Sequence, residues 1–279
     1  MIPFDFEYYA PETVEEATGI YGALQNEGKN PMYYGGGTEI ISMARVGNIF
    51  PGAVIDIKKI PECRTMGTDG GSLVLGSAVT LSEIVESRLF PALALAAGRV
   101  ADHTVQVKVT LGGNIAGTIY YHEAMLPLMI SGCVLHIAFP GGRRDVLIAD
   151  ALSREKRLAP GELIVSFRLN KDFTVLPHAH IKRVKIEKTG YPLVTLSAVN
   201  ADGVMRLSVS GLFDYPFRFA DLPLACGHSP AALAEQLLAQ VPNPVLDNVS
   251  GSAKYREFMF KKTAENIIAY FNSSGGADA

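Results

Sequence analysis

Apolar side chains recur at helical spacing early in the chain. Ala17, Ile20, Tyr21 and Leu24 share one face, behind Thr13 and Glu16 at capping-box spacing. A helix is predicted up to about Gln25. Met32–Tyr34 predicts a short strand delivering the chain into Gly35-Gly36-Gly37, and Thr38–Arg45 predicts a helix with Ile40, Ile41 and Met43 partly inward. Ala53–Ile57 and Ser72–Leu75 read as buried strands. Thr80-Leu-Ser-Glu83 is a second capping box, opening a helix through Val85, and alanine- and leucine-rich Phe90–Ala101 predicts another. After a second glycine turn at Thr110–Asn114, a helix is expected around His122–Ile130. Val134–Phe139 and Leu163–Leu169 then read as strands, with a hairpin-like turn at Gly141–Asp145 between them.

The pattern changes after Asn170–Pro177, so residues 1–172 and 173–279 are expected as separate domains. Ile181–Lys188, Leu193–Asn200 and Met205–Ser210 predict strands, the last two joined by a turn at Ala201-Asp202-Gly203. Ser229–Gln240 and Ser252–Phe271 predict helices, the first with Ser229-Pro230 as cap and first turn. Ser273–Ala279 reads as a frayed tail. Strands followed by helices make the second domain α+β.

Of the 279 residues, 48% are apolar and 19% charged, enough to bury a substantial core. A net charge of −3 with no basic run gives no nucleic-acid footprint. Cys63, Cys133 and Cys226 lack CxxC spacing and are too few for a disulfide framework, a zinc site or an iron–sulfur cluster. No signal pattern opens the chain and no apolar run reaches ~18 residues, so a cytoplasmic location is expected.

The chemistry concentrates in the glycine turns. Backbone without side chains brings N–H groups close to a phosphate, and a helix N-terminus adds partial positive charge. Two such turns suit the two sides of one diphosphate. Gly35, Gly36 and Gly37 allow close approach, Thr38 offers a hydroxyl, and Glu39 must point past the phosphates towards ribose or ribityl hydroxyls. Taken alone, the first turn fits a tight turn capped by Thr38 slightly better. The second, Thr110, Leu111, Gly112, Gly113 and Asn114, also fits a helix-capping loop. Neither matches G-x-G-x-x-G after a strand, and neither holds a P-loop lysine. The six histidines are dispersed, and His178-Ala-His180 lacks a third metal ligand. Lys182, Arg183 and Lys185 read as a phosphate-facing strand face or as a solvated one.

Tyr33-Tyr34-Gly35-Gly36-Gly37-Thr38-Glu39-Ile40 resembles the first FAD loop of the molybdopterin-dehydrogenase flavoproteins, the medium subunits of xanthine and carbon monoxide dehydrogenases. Thr110-Leu111-Gly112-Gly113-Asn114-Ile115-Ala116 resembles their second loop. Leu75–Ile84, Gly142–Val146, Pro160–Ile164, Lys182–Ala198 and Lys254–Arg256 continue the likeness in order along nearly the whole chain. The resemblance implies an FAD-binding domain of the vanillyl-alcohol-oxidase type with two α/β subdomains, then a small domain with a three-stranded sheet and helices. It implies that Tyr33, Tyr34, Gly35, Gly36, Gly37, Thr38, Glu39 and Ile40, with Thr110, Leu111, Gly112, Gly113 and Asn114, wrap the diphosphate and ribityl portions. Glu123 would contact polar parts of the flavin, Ile164 pack near its ring, and Lys182 approach it, with Lys185 the competing lysine.

Two stretches depart from the family pattern. Gln106-Val107 stands where relatives commonly have Arg-Asn, and Thr118–His122 brings bulk before Glu123, so that Tyr120 or Tyr121 is a candidate to stack on the flavin. The implied function is electron transfer. A molybdopterin-containing large subunit and an iron–sulfur small subunit would supply electrons, FAD would carry them, and NAD or a quinone would accept them. No residue of this chain then needs to be an acid, base, nucleophile or metal ligand. The alternatives are a stand-alone flavin oxidase or dehydrogenase and a flavin-free structural subunit.

Overall fold

A computed structural model of the protein describes residues 2–152, 158–185, 190–224, 227–242 and 244–274. Strands β1 (Glu7–Tyr9), β2 (Pro31–Tyr34) and β3 (Ala53–Asp56) form a parallel sheet in the order β1-β3-β2. Parallel neighbours need crossover connections. Helix Val14–Asn26 makes one crossing, with Thr13 Oγ1 accepting from Glu16 N at 3.1 Å, and helix Thr38–Arg45 makes the other.

A second, antiparallel sheet holds β4 (Met66–Asp69), β5 (Ser72–Gly76), β6 (Val134–Phe139), β7 (Gly142–Leu147) and β8 (Leu163–Asn170) in the order β4-β5-β8-β6-β7. Leu73, Leu75, Leu135, Ile137 and Phe167 on one face pack against helices Leu81–Ser87, Pro91–Ala97 and Met125–Ile130. The expected turn at Gly141–Asp145 shrinks to its first residues. Gly141 has φ +93, but Arg143, Arg144 and Asp145 lie in β7 opposite Ala138, Ile137 and His136. Arg143 meets Glu15 and Glu62, and Arg144 meets Glu162, so neighbouring carboxylates let a charged segment serve as an edge strand. The helix expected over Phe90–Ala101 ends at Ala97, where Gly98 N–H caps back onto Ala94 and Ala96 carbonyls. That around His122–Ile130 starts only at Met125, because His122 has φ +35 and cannot continue a helix.

The third sheet comprises β9 (His178–Val184), β10 (Pro192–Ala201) and β11 (Val204–Ser210), extended by two-residue strands β12 (Phe217–Arg218) and β13 (Leu222–Pro223) on β11. The expected three strands thus become five, because the chain after Gly211 returns to cover the free edge of β11. The strand expected over Ile181–Lys188 begins three residues earlier; residues 186–189 and the tail 275–279 lie outside the described residues. Strand alternation splits this sheet into two faces. Leu196, Ala198, Leu207 and Val209 pack on helices Pro230–Leu238 and Ala253–Ser274. Thr195, Ser197, Ser208 and Ser210 are buried on the opposite face, where Ser208 Oγ donates to Leu126 O at 2.9 Å and Ser210 Oγ to Tyr121 O. A polar layer therefore joins this sheet to the Met125–Ile130 side of the molecule.

Candidate functional site

Strand β2 ends at Tyr34, and the next three residues set the geometry of the site. Gly37 caps helix Thr38–Arg45 in the left-handed region (φ +72), and a Cβ there would collide with the Tyr34 ring. A Cβ on Gly36 would overlap the Lys108 carbonyl oxygen. The first turn is thus pressed against the approach to the second. There Thr110 caps the short helix Leu111–Ala116, accepting from Gly113 N at 3.1 Å, while Gly112 N donates to Ser77 O at 2.9 Å. No side chain caps helix Thr38–Arg45, which leaves its first N–H groups for an external acceptor.

Glu39 points away from this opening. Its Oε1 accepts from Thr118 N (2.7 Å) and Thr118 Oγ1 (2.5 Å), tying the first helix to the far end of the second. Strand alternation separates the two tyrosines. Tyr33 stacks on Tyr21 (centroids 4.9 Å) and donates to Gly161 O at 3.1 Å, and burial pushes its phenol pKa up. Tyr34 faces a cleft of about 600 Å³ lined by Gly35, Gly36 and Thr38 of the first turn and by Thr110 at the start of the second, together with Lys58, Arg64 and Lys108. Lys58 Nζ lies 4.5 Å from the Tyr34 ring centroid, 3.1 Å from Gly35 O and 2.7 Å from Asp56, holding the turn by its carbonyl. Ile40 and Leu111 sit beneath the turns, half-buried and buried respectively.

Glu123 and Lys182 meet 3.1 Å apart within the polar layer, nearly inaccessible. Thr195 donates to Glu123 Oε1 at 3.3 Å, and Lys182 also donates to Arg99 O at 2.8 Å. Burial pushes the Glu123 carboxyl pKa up; the Lys182 charge and the two hydrogen bonds oppose it without reversing it. Lys185 instead donates to Val249 O at 3.1 Å, away from this pair. His180, beside Lys182, is pushed down to about 3, chiefly by burial and then by Arg99 and Lys182, so it sits neutral against Ser197 Oγ at 2.6 Å. Ile164 is 3% exposed in β8, inside the core that also holds Leu111 and Ile115.

Replacing Lys182 with methionine leaves Glu123 without its cation, and protonation of the carboxyl limits the loss to about 2–3 kcal/mol. Urea unfolding checks this, and adding Glu123→Gln should restore more than half. A loss under about 0.5 kcal/mol would make the pair indistinguishable from a surface bridge.

The departures noted in the sequence have local explanations. Gln106 is buried and its amide donates to the carbonyls of Gly98, Val100 and Ala101 at 3.1–3.3 Å, stapling the loop ahead of the second turn. Tyr121 stacks on Tyr191 (5.0 Å) and packs on Tyr120 (4.4 Å), so its ring already has aromatic neighbours. Lys58, Arg64, Lys108, Thr118 and Thr195 carry no sequence signal of their own; only the Asp56-x-Lys58 spacing hints at any of them.

The profile of a family described as "FAD binding domain in molybdopterin dehydrogenase" matches residues 4–170. The chain belongs to this family. It is an oxidoreductase flavoprotein with FAD as cofactor. It is 35% identical over 120 residues to the carbon monoxide dehydrogenase medium chain of Hydrogenophaga pseudoflava, a match covering 42% of this chain and 41% of that protein. It is 26% identical over 271 residues to the xanthine dehydrogenase FAD-binding subunit of Escherichia coli O157:H7, covering 91% and 89% of the two chains. Among solved structures, quinoline 2-oxidoreductase from Pseudomonas putida 86 superposes with a TM-score of 0.81 at 18% identity, covering 96% of both chains. Carbon monoxide dehydrogenase from H. pseudoflava superposes with a TM-score of 0.82 at 23% identity, covering 96% of this chain and 98% of that one. These superpositions show the fold.

The flavoprotein's own residues fit a dinucleotide. Gly36 gives up its Cβ space to the Lys108 carbonyl, which lets the first turn close on the approach to the second, and the buried Asn114 Oδ1 has no hydrogen-bond partner among the described residues, leaving an acceptor available for a ligand hydroxyl.

Proposed function

We propose that this chain is the FAD-binding electron-transfer subunit of a multi-subunit, cytoplasmic molybdenum hydroxylase. It stands between the iron–sulfur clusters of a small partner subunit, themselves served by a molybdopterin-containing large subunit, and an acceptor such as NAD or a quinone. The observation that carries this reading is the contact between the two glycine turns, which builds one backbone-lined cleft in a chain of this family. Three cysteines in the whole chain cannot ligate iron–sulfur clusters, so those belong to another subunit. No helix among the described residues is long and apolar enough to cross a membrane.

In this reading residues 1–172 form the FAD-binding domain and 173–279 the C-terminal one. Backbone from Tyr34 to Ile40 and from Thr110 to Asn114 holds the cofactor, with Tyr33 fixing the strand that presents the first turn. Glu39 keeps its charge turned towards Thr118, away from the diphosphate. Glu123 and Lys182 stand as a neutralised pair in the layer between the domains, and Ile164 packs beneath the second turn. FAD, when bound, supplies the redox chemistry; the protein excludes water and positions it.

Purification from the native source with flavin, iron and molybdenum analysis tests the assignment. Co-purification of an iron–sulfur and a molybdenum subunit with stoichiometric FAD is expected. A chain that arrives alone and is reduced directly by a small organic substrate would instead be a self-contained oxidase or dehydrogenase. One that neither carries nor takes up FAD would be a structural subunit.

A further inference from the structure

The second sheet carries, on the face turned away from its helices, a concavity of about 480 Å³ that shares no lining residue with the cleft at the glycine turns. Strand register builds its floor. Leu75, Leu135 and Phe167 turn towards the helices, so their neighbours in each strand turn the other way. Asp145, His136 and Ser166 stand side by side across β7, β6 and β8. Gly67, Val74 and Arg168 form the next row across β4, β5 and β8. All six line the concavity.

Hydrogen-bonding capacity on this floor is left unused. His136 Nδ1 meets Asp145 Oδ1 at 2.6 Å. A carboxylate only accepts, so Nδ1 carries the proton and Nε2 of the neutral ring is an acceptor. That Nε2 is buried with no partner among the described residues, which costs stability until a donor reaches it. Among the same residues no hydrogen bond engages Ser166 Oγ, and Arg168 uses only Nη2, on Asp69 at 3.0 Å. Both cations of the rim are already answered, Arg143 by Glu15 and Glu62 and Arg168 by Asp69, so neither draws an anion. The remaining N–H donors of Arg168 turn away a cation. An acceptor beside donors, with no net call for charge, suits a neutral guest that offers both. Buried Val74 and the open space over Gly67, where a Cβ would meet nothing within 4 Å, leave room for its apolar body.

We propose that this concavity is a second ligand site, for a neutral planar molecule with a lactam edge, where N–H and C=O adjoin. The N–H donates to His136 Nε2, which a tilt of the imidazole, itself 30% exposed, brings to the cavity. The C=O accepts from Arg168 and Ser166, and the ring lies over Val74 and Gly67. The site is independent of the flavin assignment.

The test is calorimetric titration of the full chain with isoquinolin-1-one, a bicyclic lactam, with FAD present to occupy the glycine-turn cleft. One saturable site is expected. The N-methyl lactam, which cannot donate to His136, should bind at least about 10-fold more weakly, as should the parent lactam to Ser166→Ala or Arg168→Met. Gly67→Phe fills the cavity and should abolish binding while the unfolding midpoint and FAD content stay as in the wild type. Absence of saturable binding to the wild type would overturn the proposal. Equal affinity for the N-methyl lactam would do the same, as would wild-type binding by folded Gly67→Phe. Tighter binding of benzoate or benzylammonium than of the lactam would show that charge, not the paired edge, is recognised, and would overturn it too.

Discussion

Gly36→Ala is expected to lower FAD affinity by at least about 100-fold and to destabilise the fold by about 2–4 kcal/mol. The added methyl would overlap the Lys108 carbonyl oxygen, a backbone atom that cannot swing aside as a side chain would. The two turns must therefore separate. That movement pulls on Lys58 at the Gly35 carbonyl and on the Leu81–Val109 hydrogen bond, so stability and ligand binding fall together. Gly19, in helix Val14–Asn26, is the control: a Cβ there would meet nothing within 4 Å, and alanine should stabilise by about 0.5–1 kcal/mol without touching FAD affinity. Flavin fluorescence titration and urea unfolding read both effects. Gly36→Ala protein that binds FAD like wild type would show that the seam between the turns is not part of the cofactor site.

Arg256→Met is expected to cost about 3–5 kcal/mol, a large part of a typical domain's stability. Arg256 is wholly buried in helix Ala253–Ser274, yet among the described residues every hydrogen bond it makes is to a neutral acceptor. It donates to Leu193 O (2.5 Å), Gly211 O (2.7 Å), Asn248 Oδ1 (2.8 Å) and Gly251 O (3.3 Å). Burial pulls its pKa down, but the guanidinium remains charged. Leu193 and Gly211 lie just past the last β10–β11 pair, Thr195 with Ser210, so that ladder does not reach their carbonyls. Methionine keeps the packing volume and removes the fork, leaving those carbonyls buried without donors. Arg256→Lys should recover less than half, because an ammonium group cannot span the same acceptors. Lys262→Met, which breaks only an exposed bridge to Glu265, should change stability by less than about 0.5 kcal/mol. An Arg256→Met loss below about 1 kcal/mol in urea unfolding would show that the carbonyls find other partners.

Local signals are readable wherever the physics is local. Thr80 and Glu83 form the reciprocal capping box that their spacing predicts, and Ser229 caps the helix that Pro230 opens. At Thr13 only half of the box forms, since Glu16 accepts from Glu12 N instead. Strand β4 is invisible in sequence because Met66-Gly-Thr-Asp has no apolar alternation; it is a strand only because β5 offers it an edge. The charged β7 is the same case, held by β6 on one side and by carboxylates from distant segments. The short helix Leu111–Ala116 contains two glycines that propensity alone would place in a turn.

The site divides along the same line. Both glycine turns, the cap at Thr110 and the class of ligand they suit are legible in the chain itself, because backbone approach depends on residues adjacent in sequence. Which turn meets which is not. The Glu123–Lys182 pair spans 59 residues, and the Glu39–Thr118 bond spans 79. Nor does any pattern distinguish Lys108, which has no ion-pair partner among the described residues, from Lys58, paired with Asp56. Cations look alike in sequence, and only packing decides which carboxylates reach them. The amino-acid order determined most of the elements, their caps and the two glycine turns; the tertiary structure decided the edge strands β4 and β7, the contact between the turns and the pairing of buried charges, since each depends on distances that sequence separation does not encode.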